Sequence, residues 1–112
     1  MLPRSQRLSV LQFNLVMEKG RITHSPLFIL RSLNAPDGCT HISAVAPQKI
    51  FKKATQRNKL RRRIYEAVQV VFSEISQPVH AIIFAKGGVP DADISVIENE
   101  VKDIFVKIRL LK

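Results

Sequence analysis

The sequence predicts an α+β fold: a two-layer sandwich with helices packed on a mostly antiparallel sheet. Three observations carry this. The patterns along the chain run helix, two or more strands, helix, strand, helix. From Thr55 to Ile75, apolar residues recur at helical spacing, with Leu60, Ile64, Ala67, Val68, Val71 and Ile75 on one stripe. Val79 to Ala85 (VHAIIFA) is nearly all apolar, as a strand buried on both faces would be. The 112 residues are expected to form one domain, 1–112. A chain of this length can bury roughly two-thirds of its unfolded surface.

Ser9 to Gly20 reads as the first helix. Ser9 and Gln12 have the spacing of a capping box, and Gly20 is a natural stop. Phe13, Val16 and Met17 form its apolar stripe. That stripe either packs into the core or leaves part of itself at the surface to stack on unpaired bases. Leu27 to Leu33 reads as a strand entered through Ser25-Pro26, and Thr40 to Ala46 as a second. The turn-rich Asn34 to Gly38 between them predicts an antiparallel hairpin whose loop holds Cys39. Pro47 ends the second strand, and Thr55 is placed to cap the long helix that follows. Gln77-Pro78 breaks that helix before the apolar strand. Lys86-Gly87-Gly88 reads as a turn and lacks the phosphate-loop pattern. Ser95 to Leu111 is the last helix, with Ser95 and Glu98 as a capping box. Ile97, Val101, Ile104, Phe105 and Ile108 make its buried face.

Charge is what sets the chain apart. Eight of its 18 Lys and Arg fall between Lys49 and Arg63, with no Asp or Glu among them. Residues 1–65 carry a net charge of +11 and residues 66–112 a net charge of −2, which together make the +9 of the whole. Packing like charges so densely costs self-repulsion, and a polyanion removes that cost. The ordinary fate of a charge run is a solvated face. Two features point past that. The run leads straight into an apolar helical pattern, and arginine, which forks onto phosphate, dominates from Arg57 on. An RNA-binding helix is the reading that follows.

Other classes are less favoured. No apolar run approaches the ~20 residues needed to span a bilayer. The opening MLPRSQRLSV has no signal-peptide core, and Cys39 stands alone, so a cytoplasmic protein without membrane partners is expected. His24, His41 and His80 are scattered singly, and the carboxylates sit far in sequence from the basic stretch. Neither a metal site nor a set of catalytic groups is therefore expected on this chain. A DNA-reading helix would want a tight helix-turn-helix partner, whereas Pro47 and a strand precede this one, so DNA is not expected as a partner. Charge alone leaves a structural RNA-binding protein of the ribosome open.

At Arg57-Asn58-Lys59-Leu60-Arg61-Arg62 the chain resembles the R-N-R-x-K-R signature of the bacterial ribonuclease P protein family. Lys49-Ile-Phe-Lys-Lys-Ala54 resembles that family's lead-in. The similarity continues through Met1-Leu2-Pro3, Arg7-Leu8, Gln12-Phe13, Val16, Gly20, Phe28, Ile82 to Lys86 and Ser95 onward. The resemblance implies an αβββαβα sandwich like a domain of ribosomal protein S5, with a left-handed crossover through the basic helix where the general rule is right-handed. It implies a protein that binds the catalytic RNA subunit and removes, with it, the 5′ leader of precursor tRNA. The Mg2+ that carries the chemistry would be held mainly by RNA. Carried over by position, Lys49, Lys53, Arg57, Asn58, Lys59, Arg61 and Arg62 would contact RNA, and no residue would be catalytic. Phe13 and Met17, with Tyr65, would line the leader cleft between the first helix and the sheet. The family commonly has an aromatic where Met17 stands, a further Arg where Tyr65 stands and a glycine where Lys52 stands.

Overall fold

Val79–Ala85 is the one strand with no polar face to show to water, and it takes an inner place in the sheet. The structure, a computed structural model, describes residues 6–89 and 93–108. Its elements are α1 (Val10–Lys19), β1 (Arg21–His24), β2 (Phe28–Asn34), β3 (His41–Val45), α2 (Ala54–Phe72), β4 (Val79–Ala85) and α3 (Ile94–Lys107). The four strands form one sheet in the order β1-β2-β4-β3. β4 pairs antiparallel with β2 and parallel with β3, and β1 adds antiparallel to the outer edge of β2. The α+β sandwich and the αβββαβα order are thus those expected. α2 connects the parallel neighbours β3 and β4.

Strand alternation gives the sheet two unlike faces. Phe28 and Leu30 of β2, Ile42 and Ala44 of β3, and Ala81 and Ile83 of β4 point to one side. There the stripe Leu60, Ile64, Ala67, Val68 and Val71 of α2 and Ile97, Val101, Ile104 and Phe105 of α3 close the main core. The opposite face carries Ile29, Arg31, Ile82 and Phe84, and α1 packs on it against β2 and β4. Val16 is the one buried residue of α1.

Ser9 caps α1 as expected, accepting from the Gln12 amide while the Gln12 side chain accepts from the Ser9 amide. Gly20 ends that helix for a reason other than backbone freedom, since its φ is −70°. A Cβ there would lie 2.5 Å from the Val16 carbonyl oxygen and 3.3 Å from that of Ser32. Close approach to the Val16 carbonyl in the last turn of α1, rather than a left-handed turn, demands glycine, with β2 pressing more loosely from the other side.

Several expectations are corrected. β2 and β3 run antiparallel but do not form a hairpin, because β4 lies between them. A strand apolar on both sides gains most where it has two neighbours, and the 35–40 loop passes across its end. The short β1 gave no apolar alternation to read: three of its four residues are exposed. α2 is capped by Lys53 and not Thr55, since the Arg57 amide already bonds to the Lys53 carbonyl at 3.1 Å. It ends at Phe72, and Ile75 packs against the core from the following turn. α3 begins at Ile94 after Asp93, so Ser95 lies inside the first turn, where helical backbone rules out a capping role. Met1-Leu2-Pro3 and the expected extension to Leu111 lie outside the described residues.

Candidate nucleic-acid interface

The charged half of α2 is ordered because its other side is core. Leu60 and Ile64 are buried, while Asn58 and Lys59 just before them and Arg61 and Arg62 between them are exposed. Lys49 and Lys53, in the approach to the helix, are exposed as well. Among the described residues, no Lys or Arg has a carboxylate oxygen within 4.0 Å. The first turn of α2 holds no acidic residue, and a lysine occupies the N-cap without a side-chain bond. That is the opposite of what the helix dipole favours, and an incoming phosphate would correct it.

Three of the expected RNA contacts are already engaged within the protein. Arg57 is half-buried, and its Nη1 donates to the carbonyls of Phe51 at 2.8 Å and Lys52 at 3.0 Å. It clamps the approach to α2, with the buried Phe51 as the anchor below. Arg61 donates to the Asn58 side-chain oxygen, so these two present themselves as a pair. Lys59 and Arg62 carry their charge free on the surface.

The open face of the sheet supplies two hollows along α1. One, of about 380 Å³, lies at the C-terminal end of the helix and is lined by Met17, Ile22, Ile29, Ile50 and Phe84, with His24, Arg31 and Lys86 among its polar groups. Ile50 belongs to the segment leading into α2, so this apolar trough opens onto the basic stretch. Arg31 fixes one wall by donating to the Met17 carbonyl at 2.8 Å, and Lys86 another by donating to that of Ser25 at 2.6 Å. The second hollow, of about 630 Å³, lies at the N-terminal end and includes Arg7, Gln12, His41, Ser43 and Tyr65.

The expected cleft residues are therefore divided. Met17 lines the first hollow and Tyr65 the second, while Phe13 sits half-buried one turn before Met17. Tyr65 is largely buried: its hydroxyl accepts from the Ala44 amide at 3.0 Å, and the Arg7 guanidinium lies 5.6 Å from its ring centre. Arg31 and Lys86 were not legible as site residues. The one signal was Arg31 itself, the single charged residue of a largely apolar strand, at the alternate positions that turn away from the core.

A sequence model of the family described as Ribonuclease P matches residues 2–109. The chain belongs to the ribonuclease P protein family. Among its relatives, the ribonuclease P protein component of Rippkaea orientalis is 28% identical over 116 residues, covering 98% of this chain and 91% of that one. That of Nitratiruptor sp. is 31% identical over 102 residues, covering 90% of this chain and 89% of its own. In three dimensions the chain is similar to the RNase P protein of Staphylococcus aureus, with a TM-score of 0.82, 20% identity, and coverage of 96% and 98% of the two chains. It is also similar to that of Thermotoga maritima, with a TM-score of 0.79, 19% identity, and coverage of 90% and 96%. At such identities the solved structures bear on the fold, and it is the ribonuclease P fold that this chain has. No helix among the described residues is long and apolar enough to cross a membrane.

Proposed function

We propose that this chain is the protein subunit of a ribonuclease P holoenzyme, binding both a catalytic RNA and the 5′ leader of precursor tRNA. The observation that carries the reading is an apolar trough lined in part by Ile50, from the basic segment that leads into α2, together with cations on α2 that have no carboxylate partner among the described residues. Lys49, Lys53, Lys59 and Arg62 meet RNA phosphates directly, and the Asn58–Arg61 pair reorganises to do so. Arg57 acts first by holding the approach to the helix and offers RNA the remainder of its guanidinium. Single-stranded leader enters the trough, where bases pack on Met17, Ile22 and Phe84, and Arg31 and Lys86 at its wall face the backbone. Phe13 extends this surface along α1, and Tyr65 borders the second hollow.

The donor set around the basic stretch is cationic and does not fit a divalent metal. The Mg2+ of the reaction is accordingly assigned to RNA phosphates, and no step is routed through this chain. The protein contributes affinity and position, in the cytoplasm where precursor tRNA is made.

The test is leader cleavage of a precursor tRNA at low magnesium, with the RNA subunit from the same source. Stimulation by the protein, with no cleavage by protein alone, is expected. With about six phosphate contacts of single-stranded character, log K for RNA should fall against log salt with a slope near −4. A flat salt response, or cleavage by the protein alone, would overturn the reading.

A further inference from the structure

The end of the sheet opposite the apolar trough holds a constellation, bordering the second hollow through His41, to which the RNA-binding role assigns no part. Parallel pairing of β3 with β4 sets His41 beside His80, whereas the trough reaches Phe84, four residues and about 13 Å further along β4. The imidazole centres are 5.3 Å apart, edge to face at 65°. Asp37, from the 35–40 loop, turns its carboxylate toward both rings. Its Oδ1 lies 3.2 Å from His80 Nε2 and its Oδ2 lies 3.7 Å from His41 Nε2.

The loop is built to hold that carboxylate there. Gly38 adopts a φ of 73°, and the Cys39 amide donates to Asp37 Oδ1 at 3.0 Å. The Gln12 side chain of α1 approaches Oδ2 at 3.5 Å. His80 is almost fully buried and His41 partly so. The Nδ1 atoms of both rings are shielded from solvent and have no hydrogen-bond partner in the protein.

A neutral imidazole has one donor and one acceptor nitrogen. Both Nδ1 atoms go without a partner in either tautomer, as unfilled acceptors when Nε2 carries the proton and as unfilled donors when Nδ1 does. The latter tautomer aims two Nε2 lone pairs at a carboxylate, which is repulsive unless a cation stands between them. One ligand atom from each of the three side chains lies within 4.8 Å of the other two. Tetrahedral zinc with bonds near 2.0–2.2 Å needs ligand atoms about 3.3 Å apart. The two His–Asp separations bracket that spacing, and the two imidazoles, whose ligand atoms lie within 4.8 Å of each other, close the site by drawing together.

We propose that Asp37, His41 and His80 bind one divalent transition-metal ion, of which Zn2+ is the type. Two imidazoles with one carboxylate favour zinc-like ions over the oxygen-seeking Mg2+. A fourth position stays open to water. The bound ion ties the 35–40 loop to β3 and β4, and through Gln12 to the capping box of α1. It thereby steadies the helix that roofs both hollows.

The test uses the full chain free of any affinity tag. Zinc chloride is titrated by calorimetry, and cobalt(II) is added separately to read the coordination by its visible absorption. One ion per chain is expected, with Tm raised by about 10 °C at a hundredfold excess over Kd. Mg2+ at the same concentration should leave Tm where it was. Asp37→Ala changes an exposed turn and should fold normally while binding zinc at least about tenfold more weakly. His80→Asn alters a buried site, so His41→Asn is made beside it, and circular dichroism reports which of them is folded. Absence of saturable zinc binding by the unaltered chain overturns the proposal. So does zinc affinity that is unchanged in Asp37→Ala and His41→Asn, or that is lost only in Cys39→Ser.

Discussion

The two faces of the sheet obey different rules although their residues look alike. Under α2 and α3, Phe28, Leu30, Ile42 and Ile83 have no exposure at all. On the other side a ten-residue helix covers a four-stranded sheet, and Ile22 and Met17 remain 51% and 37% exposed. An apolar side chain on the first face is explained by packing. On the second, Ile82 is fully buried while Ile22 and Met17 are left partly in water, which gains nothing for the fold. The same contrast runs along α2, whose Leu60 and Ile64 hold the helix in place while Lys59 and Arg62 turn outward.

Substitutions on the two faces should separate stability from binding. The largest effect is expected for Ile83→Ala on the closed face. It should destabilise the protein by about 2–5 kcal/mol, read as a shift of the denaturation midpoint. If the loss were under about 1 kcal/mol, the closed face would not be the main core. Gly20→Ala tests the seam where α1 leaves for β1. Its methyl group meets two backbone carbonyls, neither of which can swing aside, and a cost of about 1–3 kcal/mol is expected in thermal unfolding. Arg57→Ala should cost about 1–2 kcal/mol, because two charge-assisted bonds to the α2 approach are lost, and should also weaken RNA binding. A loss of RNA binding with no loss of stability would return Arg57 to the simple contact that the signature suggests.

The smallest stability effects belong to the open side. Met17→Ala and Arg62→Ala should each stay within about 0.5 kcal/mol of the parent. Filter binding should nevertheless tell them apart. Arg62→Ala weakens RNA binding generally and makes the salt slope shallower by about 0.7, as one phosphate contact is removed. Met17→Ala should weaken binding of leader-bearing precursor more than that of mature tRNA, with the salt slope unchanged. If Met17→Ala affected both RNAs alike, the trough would not be the leader site.

Much of this was readable from the chain alone. The Ser9–Gln12 capping box, the buried stripes of α2 and α3, and the exposed charge of residues 49–63 all follow from contacts three or four positions apart. A helix repeats its geometry locally, so spacing in sequence becomes a face in space. The charge asymmetry and the Arg57 to Arg62 signature likewise needed no fold to be seen.

Tertiary structure decided the rest. A ladder of backbone hydrogen bonds uses groups common to every residue, so nothing in Leu27 to Leu33 or Thr40 to Ala46 says that β4 will come between them. The same parallel register sets His41 beside His80, 39 positions apart, with Asp37 facing both. Docking of α2 on the sheet, in turn, carries the Tyr65 hydroxyl to the Ala44 amide and away from the trough that Met17 lines. Side-chain chemistry and local period were written in the chain. Which distant groups meet depended on strand order, because pairing energy is nearly blind to sequence until the cores on either side are closed.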